Sequence, residues 1–322
     1  RDYPQVEDFV QAMIDGVRQL LTQTGLTPDA VRGMGLGAPN GNYWRGTIEY
    51  APNLAFKGIV PLVDMLQPHF PGWEIRLTND ANAAALGEKL FGKAREVDDF
   101  IIITLGTGVG SGIFSGGKLV YGHDGFAGEV GHMIIEENGR LCGCGRKGCL
   151  ETYASATGMV RTAREMLARP GGGTSSLMKV PPDVLEARHI SEAASVGDRL
   201  ALDILDYTAG RLGLALANAV AVTSPEVIYL YGGMAAAGEL LLRPLRRALE
   251  ANLLEETANN YLAALLVRGD SAGLAFVDVT TGEFLVARVE EHIEQTLLDE
   301  LTRMAPAEVL LFGSKAGVLD HQ

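Results

Sequence analysis

Apolar and polar positions follow two rhythms along this chain, and the elements can be read from them. From Val6 to Leu21 the apolar residues Phe9, Val10, Met13, Ile14, Val17 and Leu20 share one helical face, which predicts an amphipathic helix. Val31 to Ala38 is a short apolar run into Gly-Ala-Pro, a strand that enters a loop. Asn40 to Tyr50 is turn-rich, with Asn42 or Gly46 suited to close a hairpin. Ile59 to Leu66 is expected to be helical and Trp73 to Leu77 a strand. Thr78-Asn79-Asp80 comes next, and Ala81 to Leu90 then has high helix propensity, so Asn79 or Asp80 falls at the helix N-cap. Asp99 to Leu105 (DFIIITL) is a β-branched strand; a glycine-rich stretch and a second apolar run, ending at Ser115-Gly116-Gly117, follow it.

The second half continues the alternation. Ala156 to Leu167 is predicted helical and Arg169 to Thr174 is a Pro/Gly-rich loop. Ser191 to Ala194 and Arg199 to Val222 are helical, the latter long and apolar and ended by Pro225. Val227 to Tyr231 is a strand, followed by Gly232-Gly233 and a helix from Gly238 to Leu249. The character of the chain changes near Leu253. Leu274 to Val279 and Glu283 to Val289 form a predicted hairpin, Ile293 to Met304 an amphipathic helix, and Glu308 to Leu311 a strand.

Composition narrows the partners. The 322 residues are 47% hydrophobic and 21% charged, as in a soluble globular protein of one large or two medium domains. A net charge of −13 argues against nucleic acid or an anionic membrane as the main partner. No apolar run is long enough to span a bilayer. No signal-peptide pattern stands at the start, and clustered reduced cysteines suit a cytoplasmic setting. The sequence opens at Arg1 without an initiator Met, which leaves open that it is a fragment.

The chemistry gathers between Gly128 and Glu151 (GEVGHMIIEENGRLCGCGRKGCLE), which holds every cysteine of the chain. Cys142, Cys144 and Cys149 read C-x-C-x4-C, with His132 upstream. One imidazole and three thiolates form a closed tetrahedral set that suits zinc, and with no position left for water the metal would be structural. The plain alternative is three ordinary thiols; a disulfide framework fits worse, because the count is odd. Glu129 and Glu151 flank this knot. Carboxylates in a pocket accept hydrogen bonds from sugar hydroxyls, whereas a lone glutamate is usually a solvated surface acid. Asp80 has two readings, a helix cap or a general base at a strand's C-terminal end. Gly106-Thr107-Gly108-Val109-Gly110-Ser111-Gly112 lacks the Gly-Lys-Ser/Thr ending of a Walker A loop, and a strand rather than a helix follows it. A strand–loop–strand arrangement of this kind can cradle phosphate with backbone N–H groups, as in actin-like ATPases. Gly232-Gly233 permits close approach of a flat ring, or simply a tight βα turn.

Several motifs stand in order: GLGAPN at Gly35 to Asn40, APNL at Ala51 to Leu54, TNDANAAALGE at Thr78 to Glu88, TLGTGVGSG at Thr104 to Gly112, then GEVGH, CGCGRKGCLE and YGG. Together they resemble the ROK family of sugar kinases and repressors, most closely its bacterial glucokinases, over Arg1 to about Asn252. The resemblance implies an α/β actin-like (ribonuclease H-like) fold of two lobes, here residues 1–95 and 96–252, with ATP bound between them. It implies that Asp80 is the general base, that Asn53, Asn79, Glu129, His132 and Glu151 contact the hexose, and that His132 also joins Cys142, Cys144 and Cys149 on zinc. Thr107, Gly108 and Gly110 take the place of the phosphate clamp, and Gly232 and Gly233 that of the adenosine turn. Magnesium would bridge the nucleotide phosphates, and the family resemblance suggests a homodimer.

Two departures are visible. The family opens on a strand–hairpin carrying Asp-x-Gly-Gly-Thr, and no such motif precedes Val6. The chain as given is therefore expected to bind Mg-ATP poorly. Residues 253–322 instead resemble part of the N-terminal region of the mismatch-repair protein MutS, through Asn259 to Leu265, Gly273 to Phe284 and Leu297 to Leu311, without that family's Phe-x-Glu wedge. Four functions are weighed: an ATP-dependent hexose kinase preferring glucose, a non-catalytic sugar- and zinc-binding remnant, a sugar-responsive regulator, and a DNA-repair fragment. The regulator needs a helix-turn-helix and a basic face, which the sequence lacks. The repair reading rests on the tail alone, against an acidic balance. Which hexose is preferred depends on pocket shape, and N-acetylmannosamine, fructose and allose kinases share this framework.

Overall fold

A computed structural model describes residues 3–51, 54–169, 175–253, 261–268, 271–278, 284–289, 293–304 and 308–312. Contacts divide the chain into two compact units, Arg1–Asn252 and Leu253–Gln322.

The first unit begins with helix α1 (Val6–Thr24), which buries Val10 and Ile14 and stops at Gly25 in the left-handed conformation. Strand β1 (Gly33–Gly37) runs into the turn-rich segment, where β2 (Gly41–Asn42) and β3 (Thr47–Glu49) make the expected hairpin, Asn42 facing Thr47. The Ile59–Leu66 helix is realised only in part. Ile59 and Val60 form strand β4 (Ile59–Val60) against β3, and α2 (Leu62–Leu66) starts after Pro61. Proline disfavours helical backbone in the residue before it, which accounts for the strand. Strand β5 (Glu74–Thr78) lies parallel to β1, with Leu36 beside Leu77 and Gly37 beside Thr78. A core of Val10, Ile14, Ile48, Leu62, Leu66, Phe70, Trp73, Ile75 and Leu77 binds these pieces together.

Helix α3 (Asp80–Phe91) leads to a four-stranded sheet. Strands β6 (Phe100–Leu105) and β7 (Val109–Ser115) form an antiparallel hairpin, β8 (Lys118–Leu119) adds to β7, and β9 (Val227–Tyr231) runs parallel to β6. The run DFIIITL is buried on both faces. Ile101, Ile103 and Leu105 join the large core, while Phe100 and Ile102 turn to the other side with Phe114 and Ala85. Helices α4 (Glu151–Ala154), α5 (Ala156–Leu167), α6 (Ala187–Ser195), α7 (Arg199–Thr223) and α8 (Glu239–Glu250) supply the rest. α7 lies through the large core with Ile204, Leu205, Leu212 and Leu216 buried.

The second unit is a four-stranded sheet ordered β12–β11–β10–β13: β10 (Tyr261–Arg268), β11 (Ser271–Asp278), β12 (Phe284–Val289) and β13 (Glu308–Phe312). Helix α9 (Ile293–Met304) packs Leu297 with Ala263, Leu265, Ala272, Leu274 and Phe276. The hairpin, helix and last strand agree with expectation. β10 has no counterpart in the sequence reading, because its continuous apolar run shows no period of two.

Helix α3 reaches β7 through two glycines. A Cβ on Gly110 would lie 2.9 Å from the Ala81 Cβ, and one on Gly112 2.7 Å from the Ala85 Cβ. Gly112→Ala should therefore overpack this contact and destabilise the fold by about 1–3 kcal/mol. Urea denaturation read by circular dichroism measures it, and an unchanged midpoint would show the contact to be loose.

Candidate active site

The end of β5 and the start of α3 hold the first two site residues. Asn79 has extended backbone, and its side chain accepts the Ala81 N–H at 2.8 Å, so Asn79 is the N-cap. Asp80 is the first helical residue; one of its oxygens also accepts from Ala81 N, at 2.9 Å, and the residue is exposed. Asn79 holds the N-cap position, and Asp80 follows it as an exposed carboxylate at a strand's C-terminal end.

The glycine hairpin comes up beside it. Gly106 N–H donates to the Gly108 carbonyl at 3.0 Å, and Ala156 N–H donates to the Gly106 carbonyl at 2.8 Å. The Thr157 hydroxyl donates to the Thr107 carbonyl at 2.8 Å, so the turn is pinned to the start of α5. Glu151, the first residue of α4, accepts the Val109 N–H at 3.1 Å. A Cβ on Gly108 would sit 2.3 Å from that carboxylate, so only glycine lets Glu151 come this close. Gly232 ends β9 at φ 100°, where a Cβ would strike the Leu105 carbonyl at 2.3 Å. Because β6 and β9 are parallel, Gly232 and Gly233 lie at the same end of the sheet as the Gly106–Gly108 turn.

Glu129 approaches from the segment after β8. Asn79 Nδ2 donates to Glu129 Oε1 at 3.5 Å, and the Ser111 hydroxyl donates to the Gly128 carbonyl while accepting the Val130 N–H. Burial holds the Glu129 carboxyl above the ordinary carboxylate range; the His132 ring opposes this, and the charges of Asp80 and Glu151 add to it. Three of the residues singled out in the sequence, Asp80, His132 and Glu151, therefore act on the fourth, Glu129. Asn53, the remaining sugar-contact candidate, lies outside the described residues.

His132, Cys142, Cys144 and Cys149 converge, their ligand atoms all within 4.8 Å of one another. Cys144 Sγ lies 3.6 Å from Cys149 Sγ and Cys142 Sγ 3.7 Å from His132 Nδ1. Tetrahedral zinc with sulfur at its usual distance needs S···S of about 3.8 Å, so the cluster has the right size for such an ion. Gly145 and Gly148, at φ 87° and 80°, turn the loop between ligands. Cys142 Sγ is 3.9 Å from Glu151 Oε1, so the knot and the carboxylate touch. The Cys149 thiol is pushed up to about 12 by burial, with Cys144 adding to the shift. In Cys144 burial works the same way, but Arg146, through its backbone N–H and guanidinium, outweighs it and brings the thiol down to about 6. Arg140 went unnoticed in the sequence. Its guanidinium is buried, donating to the Thr152 and Gly158 carbonyls at 2.7 and 3.2 Å and to the Thr162 hydroxyl at 2.9 Å, and pairing with Glu165. An arginine among glycines and charged residues carries no local sign of burial.

The sequence matches the ROK family over residues 3–275. The chain belongs to the ROK family. A glucokinase of Halalkalibacterium halodurans is 38% identical over 265 residues, covering 82% of this chain and 78% of that protein. A xylose repressor of Caldicellulosiruptor bescii is 33% identical, covering 76% of this chain and 60% of that protein. Among solved structures, a ROK family glucokinase from Streptomyces griseus in complex with glucose and AMPPNP superimposes with a TM-score of 0.63 at 36% identity, over 76% of this chain and 78% of that one. The first unit accordingly has the two-lobed actin-like fold of the ROK proteins. Residues 260–317 match MutS domain II, overlapping the end of the ROK match.

In this ROK chain Glu129 offers a check on the cleft. A carboxyl whose folded pKa is raised binds its proton more tightly in the native state, so its contribution to stability is present at low pH and is lost as pH rises through the folded pKa. Glu129→Gln cannot ionise. Its stability, from urea midpoints between about pH 4 and 7, should fall less with rising pH than that of the parent chain. Parallel curves would remove Glu129 from a desolvated, acid-lined cleft.

Proposed function

We propose that this chain transfers the terminal phosphoryl group of ATP to a hydroxyl of a hexose, with glucose preferred. The observation that carries this is the approach of Glu129 to Asn79, next to Asp80, and of Glu151 to the glycine hairpin that packs on the same helix. Phosphoryl transfer asks a protein chiefly to position its reactants and to neutralise charge. The sugar lies, in this proposal, between residues 1–95 and 96–252. Glu129, Glu151, Asn79 and His132 meet its hydroxyls, together with Asn53. Asp80 takes the proton of the attacking hydroxyl. Backbone N–H groups of Thr107, Gly108 and Gly110 face the phosphates, and Gly232 and Gly233 leave room for the adenosine. Magnesium, when bound with the nucleotide, supplies positive charge between its phosphates. His132, Cys142, Cys144 and Cys149 hold a structural zinc that stiffens the loop carrying Glu151. The family resemblance also brings a homodimer into the proposal, and the clustered reduced cysteines a cytoplasmic setting; among the described residues no helix is long and apolar enough to cross a membrane.

A sugar-responsive regulator is the second reading, favoured by the similarity to a xylose repressor. Binding alone would not call for an exposed carboxylate such as Asp80 beside a phosphate-type turn, and so the transfer reading is preferred.

A coupled assay over a panel of hexoses tests the proposal, on this chain and on one extended by an Asp-x-Gly-Gly-Thr hairpin. Turnover should be higher in the extended chain, and Asp80→Asn should lower kcat by about 10²–10⁴-fold with the sugar still bound. Glucose binding without transfer in both chains would leave the regulator or remnant reading. For the metal, elemental analysis should find zinc in the purified protein. Cys149→Ser should lose it and weaken glucose binding more than ATP binding; a zinc-free protein with full glucose affinity would refute the structural role.

A further inference from the structure

The segment that delivers Glu129 is tied at both ends. Near Glu129 it is held by Ser111 of β7, within its own lobe. At its far end, four links reach the other lobe, all to three consecutive residues of the β2–β3 hairpin. Asn42 Nδ2 donates to the Asp124 carbonyl at 2.8 Å, and Trp44 Nε1 donates to the Gly122 carbonyl at 3.0 Å. Tyr43 stacks on Tyr121 at 4.2 Å, and Trp44 meets the same ring edge-on. Gly125, at φ 89°, passes so close that a Cβ there would lie 2.7 Å from Asn42 Oδ1.

Asn42 is fully buried. Its oxygen folds the local turn by accepting the N–H groups of Trp44 and Arg45, at 3.0 and 3.2 Å. A turn requires no more than that. The amide nitrogen does something further, reaching across to the Asp124 carbonyl. Its neighbour Gly41 lies against the end of β5, where a Cβ would sit 2.4 Å from the Thr78 carbonyl. Thr78 leads directly into Asn79 and Asp80. One asparagine thus joins the segment that bears Glu129 to the strand end that bears Asp80.

We infer that residues 121–129 are an interlobe strap and that Asn42 is its positioning residue, setting Glu129 against Asn79 and Asp80. The present Asn79–Glu129 separation of 3.5 Å is at the outer limit of a hydrogen bond. A carboxylate on a segment fastened only at Ser111 would wander from that position, so the strap governs how well the sugar site is formed. The ATP side, on the β6–β7 turn and β9, has none of these links and is indifferent to it. The inference rests on the hexose reading for its consequence, but not for the strap itself.

Two variants separate the strap from the turn. Asn42→Asp keeps the oxygen that accepts from Trp44 and Arg45 but replaces the donor to Asp124 with an acceptor. Trp44→Phe keeps an aromatic ring and removes the donor to Gly122. The first readout, hydrogen exchange of sugar-free protein, needs no substrate: amides of 121–129 should exchange about tenfold faster in both variants, with 141–149 unchanged. The second, steady-state kinetics of the extended chain, should show the glucose KM raised about tenfold and the ATP KM within about twofold. A merely structural role would lower the melting temperature and leave that split unmoved. Parent-like exchange over 121–129 in Trp44→Phe, or both KM values rising together, overturns the inference. Should Asn42→Asp fail to fold, Trp44→Phe decides. Should the parent bind no hexose, the hexose reading fails and the exchange data alone judge the strap.

Discussion

Two side chains that are not there, at Gly110 and Gly112, let α3 lie on β7 at the distance of touching alanines. Much else depends on that closeness. α3 carries Asp80 at its start and β7 carries the glycine turn at its own start, so the packing of one on the other sets the Asp80 carboxylate and the turn side by side. The contact is short-range and apolar, which makes it stiff: interiors of this density have little room to shift. A looser pairing would let the two halves of the cleft drift.

Placing Asp80 and Glu151 near enough to act on Glu129 has an electrostatic cost, and Glu129 shows it. Its carboxyl is partly desolvated and lies in the field of two other acids, so it holds its proton more firmly than a free glutamate does. Three features oppose the tendency of such a cleft to open. The His132 ring favours the charged form of Glu129. The Val109 N–H holds Glu151 on the hairpin. Arg140 fastens the loop and α4 to α5 from beneath, through carbonyl oxygens and Glu165. A buried arginine without those partners would be a serious liability, so these four bonds tie the loop's path to α4 and α5.

Much of the first unit was legible along the chain because its elements are long and their periods clear. α5, α7, α8 and the strands β6 and β9 emerge within a residue or two of their expected bounds, while α1 runs three residues past its expected end and β7 begins inside the glycine-rich stretch. Failures came where local signals compete. Ile59 and Val60 have helix-compatible neighbours, yet Pro61 forces them into extended backbone. β10 is a strand because β11 and β13 pair with it, although its leucines and alanines give it little intrinsic β preference. Asn79 and Asp80 could not be told apart as cap and first helical residue, since both side chains can accept the same N–H.

By itself the sequence determined the chemical inventory: which acids, which glycines, three cysteines with a histidine at metal-ligand spacing, and an order of motifs that marks the family. Those are properties of residue type and local interval, and covalent connectivity preserves them. Only the tertiary structure decided which groups share a field. Glu129 stands 49 positions after Asp80 in the chain and Glu151 a further 22, and no interval of that size predicts contact. It also decided the burial of Asn42 and Arg140, polar residues whose positions look solvent-facing in the sequence. Burial depends on what packs above and below, and those neighbours come from distant parts of the chain.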